Sequence, residues 1–505
     1  MHKFGLNTLS NVFARIWSIL AIYIFIPFYI DILGESAYGL VSFFATLQSA
    51  LNILGIGLAN TLRREFATGE DAEINNIRKY KLLRSIELLY FGISIIIILI
   101  CLYGADFISN NWLNTELLDK NMVSTVISLM GISIALQLIA NLYAGCLMGL
   151  EHQVQANILC IIWSVAKNVG SLGVLILIES DLRLFYGWHI VTDMVYLILL
   201  RISVIRHLKI KKSCRWNLYD LKNISSIWKY TLGILFISLV ALVNRQLDKV
   251  IISKFLTLTE LGAYNAATTL GNLTSIIPAA IYTAIFPRFT KEVTTGNTVQ
   301  LLVDFKVTNK IVNIITSCMT AFIGMFSVQL IKIWTGSDIY VNLLNIVGFL
   351  VIFSVGVTEL QQIPYALALA HGNTKINVFV GGLFIPIVAI TTFVGIRNNG
   401  LMGAGIVYAT MAFLQTVVYV FCVYKKYIYK MPLMYIIKDA FTPFLAALFL
   451  AYICRSMIEK MTNSFVLQCI MGIIFGSIVL FLLLFLFAGK DIRKIFSIMK
   501  KNELE

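Results

Sequence analysis

Residues 252–270 read ISKFLTLTELGAYNAATTL, and residues 29–47 read YIDILGESAYGLVSFFATL. At an offset of 223 residues the two stretches align and match Gly39 with Gly262. A single match of this length between apolar stretches is weak support for a repeat. A second match at a similar offset would indicate that the chain contains two copies of one plan.

Such a second match lies further along the chain. EHQVQANI at 151–158 aligns with HGNTKINV at 371–378 at an offset of 220 residues, and Asn157 then matches Asn377. Because the two offsets nearly agree, we infer that the chain is an internal duplication with a period of about 220 residues. The alternative is chance similarity among apolar helices.

The composition is that of an integral membrane protein. Of the 505 residues, 59% are hydrophobic and 13% are charged, and the mean hydropathy is +0.84. So much apolar surface could not be hidden inside soluble domains of ordinary size. Apolar runs of about 20 residues, long enough to cross a bilayer as helices, recur along the chain. The predicted spans are 8–30, 38–61, 86–104, 122–149, 157–178, 185–205, 228–253, 261–285, 309–333, 341–369, 376–396, 401–423, 437–457 and 465–488.

The repeat groups these spans into an architecture. We predict an all-α integral membrane protein with about 14 transmembrane helices, in which spans one to six and seven to twelve form two lobes. Six helices per lobe is an even number, so the lobes share one orientation, an arrangement found in transporters. The predicted boundaries are 1–206 for the N-lobe, 207–227 for a basic inter-lobe loop, 228–424 for the C-lobe, and 425–505 for two further helices and a basic tail.

The positive charge is distributed unequally between the two sides of the membrane. The formal net charge is +14, and the chain has 40 Lys and Arg residues. With the N-terminus in the cytoplasm, 29 of them fall in cytoplasmic segments and 7 in outer segments. This is the positive-inside pattern, so we predict that both termini are cytoplasmic. We expect the basic loops to contact anionic lipid head groups rather than nucleic acid.

Motifs for catalysis or metal binding were not found in the sequence. The eight cysteines and five histidines form no CxxC or HExxH motif and no close pair in the sequence, and neither a GxxxxGK phosphate loop nor a GxSxG elbow occurs. We therefore predict a protein that is not an enzyme, with no catalytic residues, no cofactor and no metal. Its energy source would be an ion gradient or the downhill flow of the substrate.

Seven ionisable residues fall inside the predicted spans, away from their ends. At the bilayer centre each would cost roughly 2.5–3.5 kcal/mol, so seven of them facing lipid would exceed the usual stability of a fold. They must therefore face water, an opposite charge or a nearby interface. These residues are Arg15, Lys167, Asp193, Arg245, Asp248, Lys249 and Glu359.

Three of these charges are close together in NRQLDKVIISKF at 244–255. Arg245, Asp248 and Lys249 are spaced i, i+3 and i+4, so they share one helical face on which Asp248 can pair with Arg245. We predict that this face lines a substrate-binding cavity between the lobes. The alternative is that the two cations extend their side chains to the membrane interface.

Arg15 and Lys167 have no carboxylate at helical spacing to neutralise them. A sheltered guanidinium binds phosphate with two hydrogen bonds, and it is always charged. We therefore predict that both residues bind an anionic head group in the central cavity. The alternatives are snorkelling for Arg15 and a structural salt bridge to another helix for Lys167. Arg63 and Arg64 could collect the anion first, or could simply mark the cytoplasmic end of span two.

Two carboxylates are candidates for ion or proton coupling. Glu359 lies in VTELQQIPYALALA, where Pro364 should loosen the helix by removing a backbone hydrogen bond. A buried carboxylate could carry a proton, or it could be the counter-ion of a cation in the first lobe. Asp193, four residues after His189, could be a similar relay or could form a structural hydrogen bond.

Several motifs resemble one transporter family. They are NTLSNVFARIW (7–17), IFIPFYIDILGESAYGL (24–40), RREFA (63–67), LDKVIISKFLTLTELGAYNAA (247–267) and ALAHGNTKINV (368–378). In these stretches the chain resembles the O-antigen or Wzx-type polysaccharide flippases of the multidrug/oligosaccharidyl-lipid/polysaccharide exporter superfamily. The resemblance extends from residue 5 to about residue 425.

The resemblance implies two six-helix lobes in a V shape and a location in the bacterial inner membrane. It also implies export of an undecaprenyl-pyrophosphate-linked oligosaccharide, an O-antigen or capsule repeat unit, from the cytoplasmic to the outer leaflet by alternating access. The partners it implies are the lipid-linked substrate, membrane lipids, and the polysaccharide polymerase with its chain-length machinery. Family members hold the pyrophosphate in a cationic central cavity, which agrees with Arg15, Lys167 and Arg245.

Three other functions compete with this interpretation. A cation-coupled drug antiporter of the same superfamily is expected to carry an acidic residue in its first or seventh helix, and here only Asp248 meets that requirement. A lipid II flippase is a close variant that sequence alone does not separate. A membrane sugar polymerase or acyltransferase is more distant, because no large outer loop and no convergent nucleophile and base are found in the sequence.

Overall fold

The computed structural model describes residues 2–49, 66, 73–115, 118–208, 240, 242–428 and 432–489. These residues form helices joined by short turns, with one isolated backbone bridge between Asn114 and Thr257. In chain order the helices are α1 (His2–Leu33), α2 (35–49), α3 (Glu73–Phe107), α4 (Lys120–Gly149), α5 (Gln153–Leu177), α6 (Leu182–Leu208), α7 (242–255), α8 (Leu258–Gly271), α9 (Ile276–Thr294), α10 (Thr298–Met325), α11 (Ser327–Thr335), α12 (Asp338–Leu343), α13 (Val347–Glu359), α14 (Gln362–Ala370), α15 (Lys375–Tyr427), α16 (Pro432–Ile436), α17 (Thr442–Met461) and α18 (Phe465–Leu483).

The contacts divide the chain into two units, Met1–Gly262 and Ala263–Glu505. In the first unit α4 is the central helix and packs along α3 and α6, while α5 packs against α1 and α6. The side chains of α4 are mostly small or apolar, and they are buried over most of its length. Close approach of helices through such residues is how helices associate in a membrane.

Local sequence signals determine where several helices of the first unit begin and end. Gly34 has φ 85° and follows the last residue of α1, where a left-handed residue closes a helix at no steric cost. Asp119 caps α4 by accepting a hydrogen bond from the backbone N–H of Met122 at 3.0 Å. Thr257 and Glu260 bond reciprocally at the start of α8, which is a capping box.

In the second unit α13 packs along α10 and α15, and α17 and α18 pack on α10. Two clusters of buried apolar side chains hold this unit together. The first joins α9, α10, α14 and α15 around Phe289, Phe305 and Tyr424. The second joins α10 to α17 and α18 around Ile314 and Ala451.

Two predicted spans of the second unit, 341–369 and 309–333, are interrupted. Span 341–369 is broken between α13 and α14, because Pro364 cannot donate a hydrogen bond to the carbonyl of Leu360. The bend at Phe326 between α10 and α11 is 68°. The loosening of the helix that was predicted at Pro364 is observed as the break between α13 and α14.

Predicted spans 376–396 and 401–423 both lie in α15, which is not one straight helix. Gly400 has φ 54° and ψ −136°, which is non-helical and separates the helix into two arms. A Cβ atom on Gly403 would overlap the carbonyl oxygen of Gly395, so the arms meet backbone to backbone. The two predicted spans are therefore arms that reverse at Gly400.

Ten helices of the described residues are long and apolar enough to cross a membrane, or eleven if the bent pair α10–α11 is one span. The α15 helix accounts for two predicted spans. Helices 35–49 and 242–255 coincide with the described parts of spans 38–61 and 228–253, whose other residues lie outside the described ranges. The prediction of an all-α, multi-pass membrane protein is confirmed.

The boundaries predicted for the lobes stay predictions. The predicted loop at 207–227 and the start of the C-lobe at 228 lie outside the described residues, apart from 207 and 208. By its contacts α7 belongs to the unit that ends at Gly262, although the predicted boundary assigned it to the C-lobe. The contacts of α7 with the α3–α4 connection include a hydrogen bond from Trp112 to Ser253.

Candidate functional site

A buried carboxylate, that of Asp193 on α6, is the centre of a polar cluster in the first unit. Its Oδ2 accepts hydrogen bonds from Ser133 Oγ at 2.5 Å and from Gln137 Nε2 at 2.8 Å, both on α4. Its Oδ1 accepts one from Trp163 Nε1 at 2.9 Å. The ammonium of Lys167, also on α5, lies 3.3 Å from Oδ1. Helices α4, α5 and α6 are thus connected through one charged group.

This cluster neutralises Lys167. Its side chain is 10% exposed and that of Asp193 is 0% exposed, so neither charge is offered to a ligand. Lys167 also lies 5.1 Å from the centroid of the Trp163 ring, which adds a cation–π contact. Of the two predictions made for Lys167, the structural salt bridge to another helix is the one that the geometry matches.

His189 makes no hydrogen bond to Asp193. The imidazole is 6% exposed and is surrounded by the rings of Phe44, Phe185 and Tyr186, the nearest at 4.2 Å between centroids. Neither ring nitrogen has a hydrogen-bond partner among the described residues. Two roles were predicted for Asp193, a proton relay and a structural hydrogen bond. The hydrogen bonds that its carboxylate accepts match the structural role.

Arg15 lies beside the seam that joins α1 to α5. The seam is polar near the start of α1, where Asn11 and Asn157 hydrogen-bond at 2.6 Å, and again at Tyr29 and Asn168, at 3.1 Å. Arg15 is exposed, and it forms no hydrogen bond or ion pair with any residue that the structure describes. Its guanidinium is therefore available to a ligand.

The three charges of α7 have different surroundings. Arg245 is exposed and makes no ion pair within the described part of the chain, so the predicted pairing with Asp248 is not seen. Asp248 is 3% exposed, and Lys249 is partly buried. Arg245 thus resembles Arg15, since each is an exposed cation on a mostly apolar helix of the first unit.

Glu359 is the last residue of α13 and lies directly before the break caused by Pro364. Its side chain is partly buried. Next to it, Gln361 Nε2 donates to Thr416 Oγ1 on α15 at 2.7 Å. Lys167 is already paired with Asp193, and the roles predicted for Glu359, a proton carrier or the counter-ion of Lys167 or Arg15, stay predictions.

Arg63 and Arg64, predicted to collect the anion, lie outside the described residues. Within those residues, no group of three or more His, Cys, Asp and Glu side chains could hold a metal ion. Among the predicted site residues that the structure describes, Arg15 and Arg245 are exposed, and Lys167 and Asp193 form a separate, internally neutral cluster in the first unit.

The other residues of the Asp193 cluster had a partial signal in the sequence. Ser133 and Gln137 are spaced i, i+4 in an apolar helix and so share one face, and polar side chains of these types hydrogen-bond across membrane helices. The stacking of two histidines had no signal in the sequence. His152 and His207, 55 positions apart, stack with ring centroids 3.5 Å apart, although no close histidine pair was expected from the sequence.

Comparison with known proteins gives a family match and a weaker match to a single relative. A family model described as "Polysaccharide biosynthesis protein" matches residues 4–293, which is more than half of the chain. A relative from Shigella flexneri, named "Putative O-antigen transporter", is 22% identical over 382 residues. These residues cover 74% of this chain and 86% of the relative.

Solved structures show the fold. "Lipid II flippase MurJ, inward closed conformation" has a TM-score of 0.74 at 13% identity and covers 96% of this chain and 99% of its own. An inward-facing "multidrug resistance MATE family transporter of the MOP superfamily" has a TM-score of 0.64 at 12% identity, with 83% and 94% covered. At such identities the similarity concerns the fold alone, and it confirms the predicted fold class.

Proposed function

Since the chain belongs to the polysaccharide biosynthesis protein family, we propose that it is a flippase for a lipid-linked oligosaccharide. The proposed substrate is an undecaprenyl-pyrophosphate-linked repeat unit of O-antigen or capsule. It would move from the cytoplasmic to the outer leaflet of the bacterial inner membrane by alternating access. The relative from Shigella flexneri and the positive-inside charge pattern support this proposal.

The observation that carries the proposal is the pair of exposed arginines on apolar helices of the first unit. An exposed arginine within a membrane span is costly unless it serves a ligand or reaches water. Arg15 and Arg245 have no partner among the described residues, so each retains its full set of guanidinium donors. Such donors suit the oxygens of a pyrophosphate. We assign both residues to binding of the pyrophosphate group.

The other predicted residues have separate roles in this proposal. Lys167 and Asp193 stabilise the first unit, because their charges cancel inside it. Asp248 and Lys249 would shape the surroundings of Arg245, and Arg63 and Arg64 would attract the head group from the cytoplasmic side. Glu359 is the remaining candidate for ion or proton coupling, because it is partly buried beside a helix break.

Deletion of the gene, followed by analysis of surface polysaccharide and of the lipid-linked pool, tests the proposal. We expect loss of surface polysaccharide and accumulation of the lipid-linked oligosaccharide, both reversed by the wild-type gene. Normal surface polysaccharide would contradict the proposal. If the deletion instead raised drug sensitivity alone, a drug antiporter would be indicated, and failure of peptidoglycan synthesis would indicate a lipid II flippase.

A further inference from the structure

A polar pocket lies at one end of the first unit, where α3 is connected to α4. Its cavity volume is about 680 Å³, and its lining includes Asn110, Asn111, Trp112 and Lys254. Small-molecule sites usually have volumes of about 300–1,000 Å³. The pocket is on the predicted outer side of the membrane, and its Lys254 follows Arg245 on the same helix, α7.

The backbone geometry of this connection is unusual. Helix α3 ends in a π-helical turn, Ile108–Trp112, in which the N–H of Leu113 bonds to the carbonyl of Ile108 at 2.9 Å. Such turns are rare in proteins, and those that occur are often found at functional sites. Here the turn leaves the side chains of Asn110 and Asn111 exposed, and neither amide hydrogen-bonds to a described residue. Both amides can therefore donate to and accept from a ligand.

The tryptophan of the pocket is held in place by α7. Its Nε1–H donates to Ser253 Oγ at 3.1 Å, and the ammonium of Lys254 lies 5.3 Å from the ring centroid. The backbone bridge between Asn114 and Thr257 joins the same two segments. Because several contacts fix Trp112, the indole is positioned before a ligand arrives, which reduces the entropy cost of binding.

We propose that this pocket binds the saccharide portion of the transported substrate. The face of the flat indole that Lys254 does not cover can stack on the C–H face of a sugar ring. The planar amides of Asn110 and Asn111 can bond to neighbouring hydroxyls as donors and acceptors. Lys254 adds a cationic donor at the rim. This proposal rests on the proposed function, because it assigns a place to the head group of that substrate on the side of release.

The test uses the full chain in lipid nanodiscs. The probe is the oligosaccharide released by mild acid from the lipid-linked pool of the cells that carry the gene, so it has neither lipid nor pyrophosphate. Binding is measured by saturation-transfer NMR and by titration calorimetry. We expect the wild type to bind and Trp112→Ala to bind about tenfold more weakly, whereas Trp112→Phe should keep most of the affinity because it keeps an aromatic face.

A matched control and a second variant separate binding from folding. Tyr103→Ala removes a ring of α3 that is 84% exposed and is not among the pocket-lining residues, so this variant should bind as the wild type does. The double variant Asn110→Ala with Asn111→Ala changes only exposed side chains, so it should fold normally and bind more weakly. Binding by this variant and by Trp112→Ala equal to that of the wild type would overturn the proposal.

The two proposals can fail separately. If the wild type translocates the lipid-linked substrate but does not bind the free oligosaccharide at millimolar concentration, the saccharide pocket is refuted and the flippase function stands. If the wild type binds the oligosaccharide through Trp112 but does not translocate the lipid-linked form, the pocket is supported as a sugar site and the flippase function is refuted.

Discussion

Lys167 and Asp193 show how one charged pair can be tolerated inside an apolar unit. Four donors surround the carboxylate, from Ser133, Gln137, Trp163 and Lys167. Taking either charge out of water is costly, and the cost is recovered only while both partners and their hydrogen bonds are present. The pair should therefore matter for stability more than for substrate binding.

Replacing Lys167 alone should destabilise the protein strongly. Lys167→Met leaves the carboxylate of Asp193 buried without its cation, and breaking such a pair costs about 3–5 kcal/mol. We expect a lower thermal unfolding midpoint in detergent and lower abundance in the membrane. Adding Asp193→Asn removes the orphaned charge and keeps one acceptor oxygen for Ser133 and Gln137, while the Trp163 N–H loses its acceptor. The double variant should therefore regain part of the stability. A single variant as stable as the wild type would contradict this assignment.

Arg15 should behave in the opposite way. Because its side chain is exposed and unpaired among the described residues, Arg15→Ala should abolish surface polysaccharide while membrane abundance stays near normal. Arg15→Lys should restore only part of the function, because an ammonium cannot make the paired bonds of a guanidinium. Surface polysaccharide and membrane abundance are measured in the same cells. Loss of abundance in Arg15→Ala would identify Arg15 as structural.

The sequence predicted that charges within spans need partners or water, and Lys167 and Asp193 are such partners, but it did not identify this pair. Spacing along one helix shows which side chains share a face, and that is why Arg245 and Asp248 were predicted to pair. The structure instead leaves Arg245 exposed and buries Asp248. The pairing of Lys167 with Asp193 depends on how α5 and α6 pack, and no local pattern contains that information.

At the scale of elements, helix packing explains why the first copy of the repeated motif has a glycine, Gly39. A Cβ atom on Gly39 of α2 would overlap the carbonyl oxygen of Leu258 at the start of α8. The obstacle is backbone and cannot rotate away. The motif that revealed the repeat therefore marks a close contact between two helices of the first unit.

Substituting Gly39 tests this contact. Gly39→Ala should force α2 and α8 apart and cost about 1–3 kcal/mol, lowering the thermal unfolding midpoint. Gly92→Ala is the matched control, because a Cβ atom at Gly92 in α3 meets nothing within 4 Å. That control should be neutral or slightly stabilising, since alanine favours helices more than glycine does. Equal midpoints for the two variants would show that the contact at Gly39 is unimportant.

Apolar periodicity predicted the helices well and their irregularities poorly. Run lengths located nearly every described span, because a helix must cover the bilayer thickness. Pro364 was a readable signal for the break after α13. By contrast, the π-turn at Ile108–Trp112 has no comparable sequence signature, and the site it shapes was not anticipated.

At the scale of the whole molecule, hydropathy and the internal repeat indicate the class of protein because both depend on gross composition rather than on particular contacts. The family match and the transporter fold agree with that class. The identity of the sugar depends on a few side chains, such as those around Trp112, whose spatial arrangement a single sequence does not reveal. Function at this scale must be measured on the intact chain.

The most direct test of the account is translocation by the purified full chain in proteoliposomes. A labelled undecaprenyl-pyrophosphate oligosaccharide is placed in both leaflets, and an impermeant sugar-oxidising reagent reports the fraction that is accessible from outside. We predict that the wild type makes the inner pool accessible and that the double variant Arg15→Ala with Arg245→Ala does not. The control variant Arg183→Ala changes an exposed arginine that is paired with Asp181, and it should make the inner pool accessible as the wild type does. An inner pool that stays protected with the wild type, as in protein-free liposomes, would contradict the account.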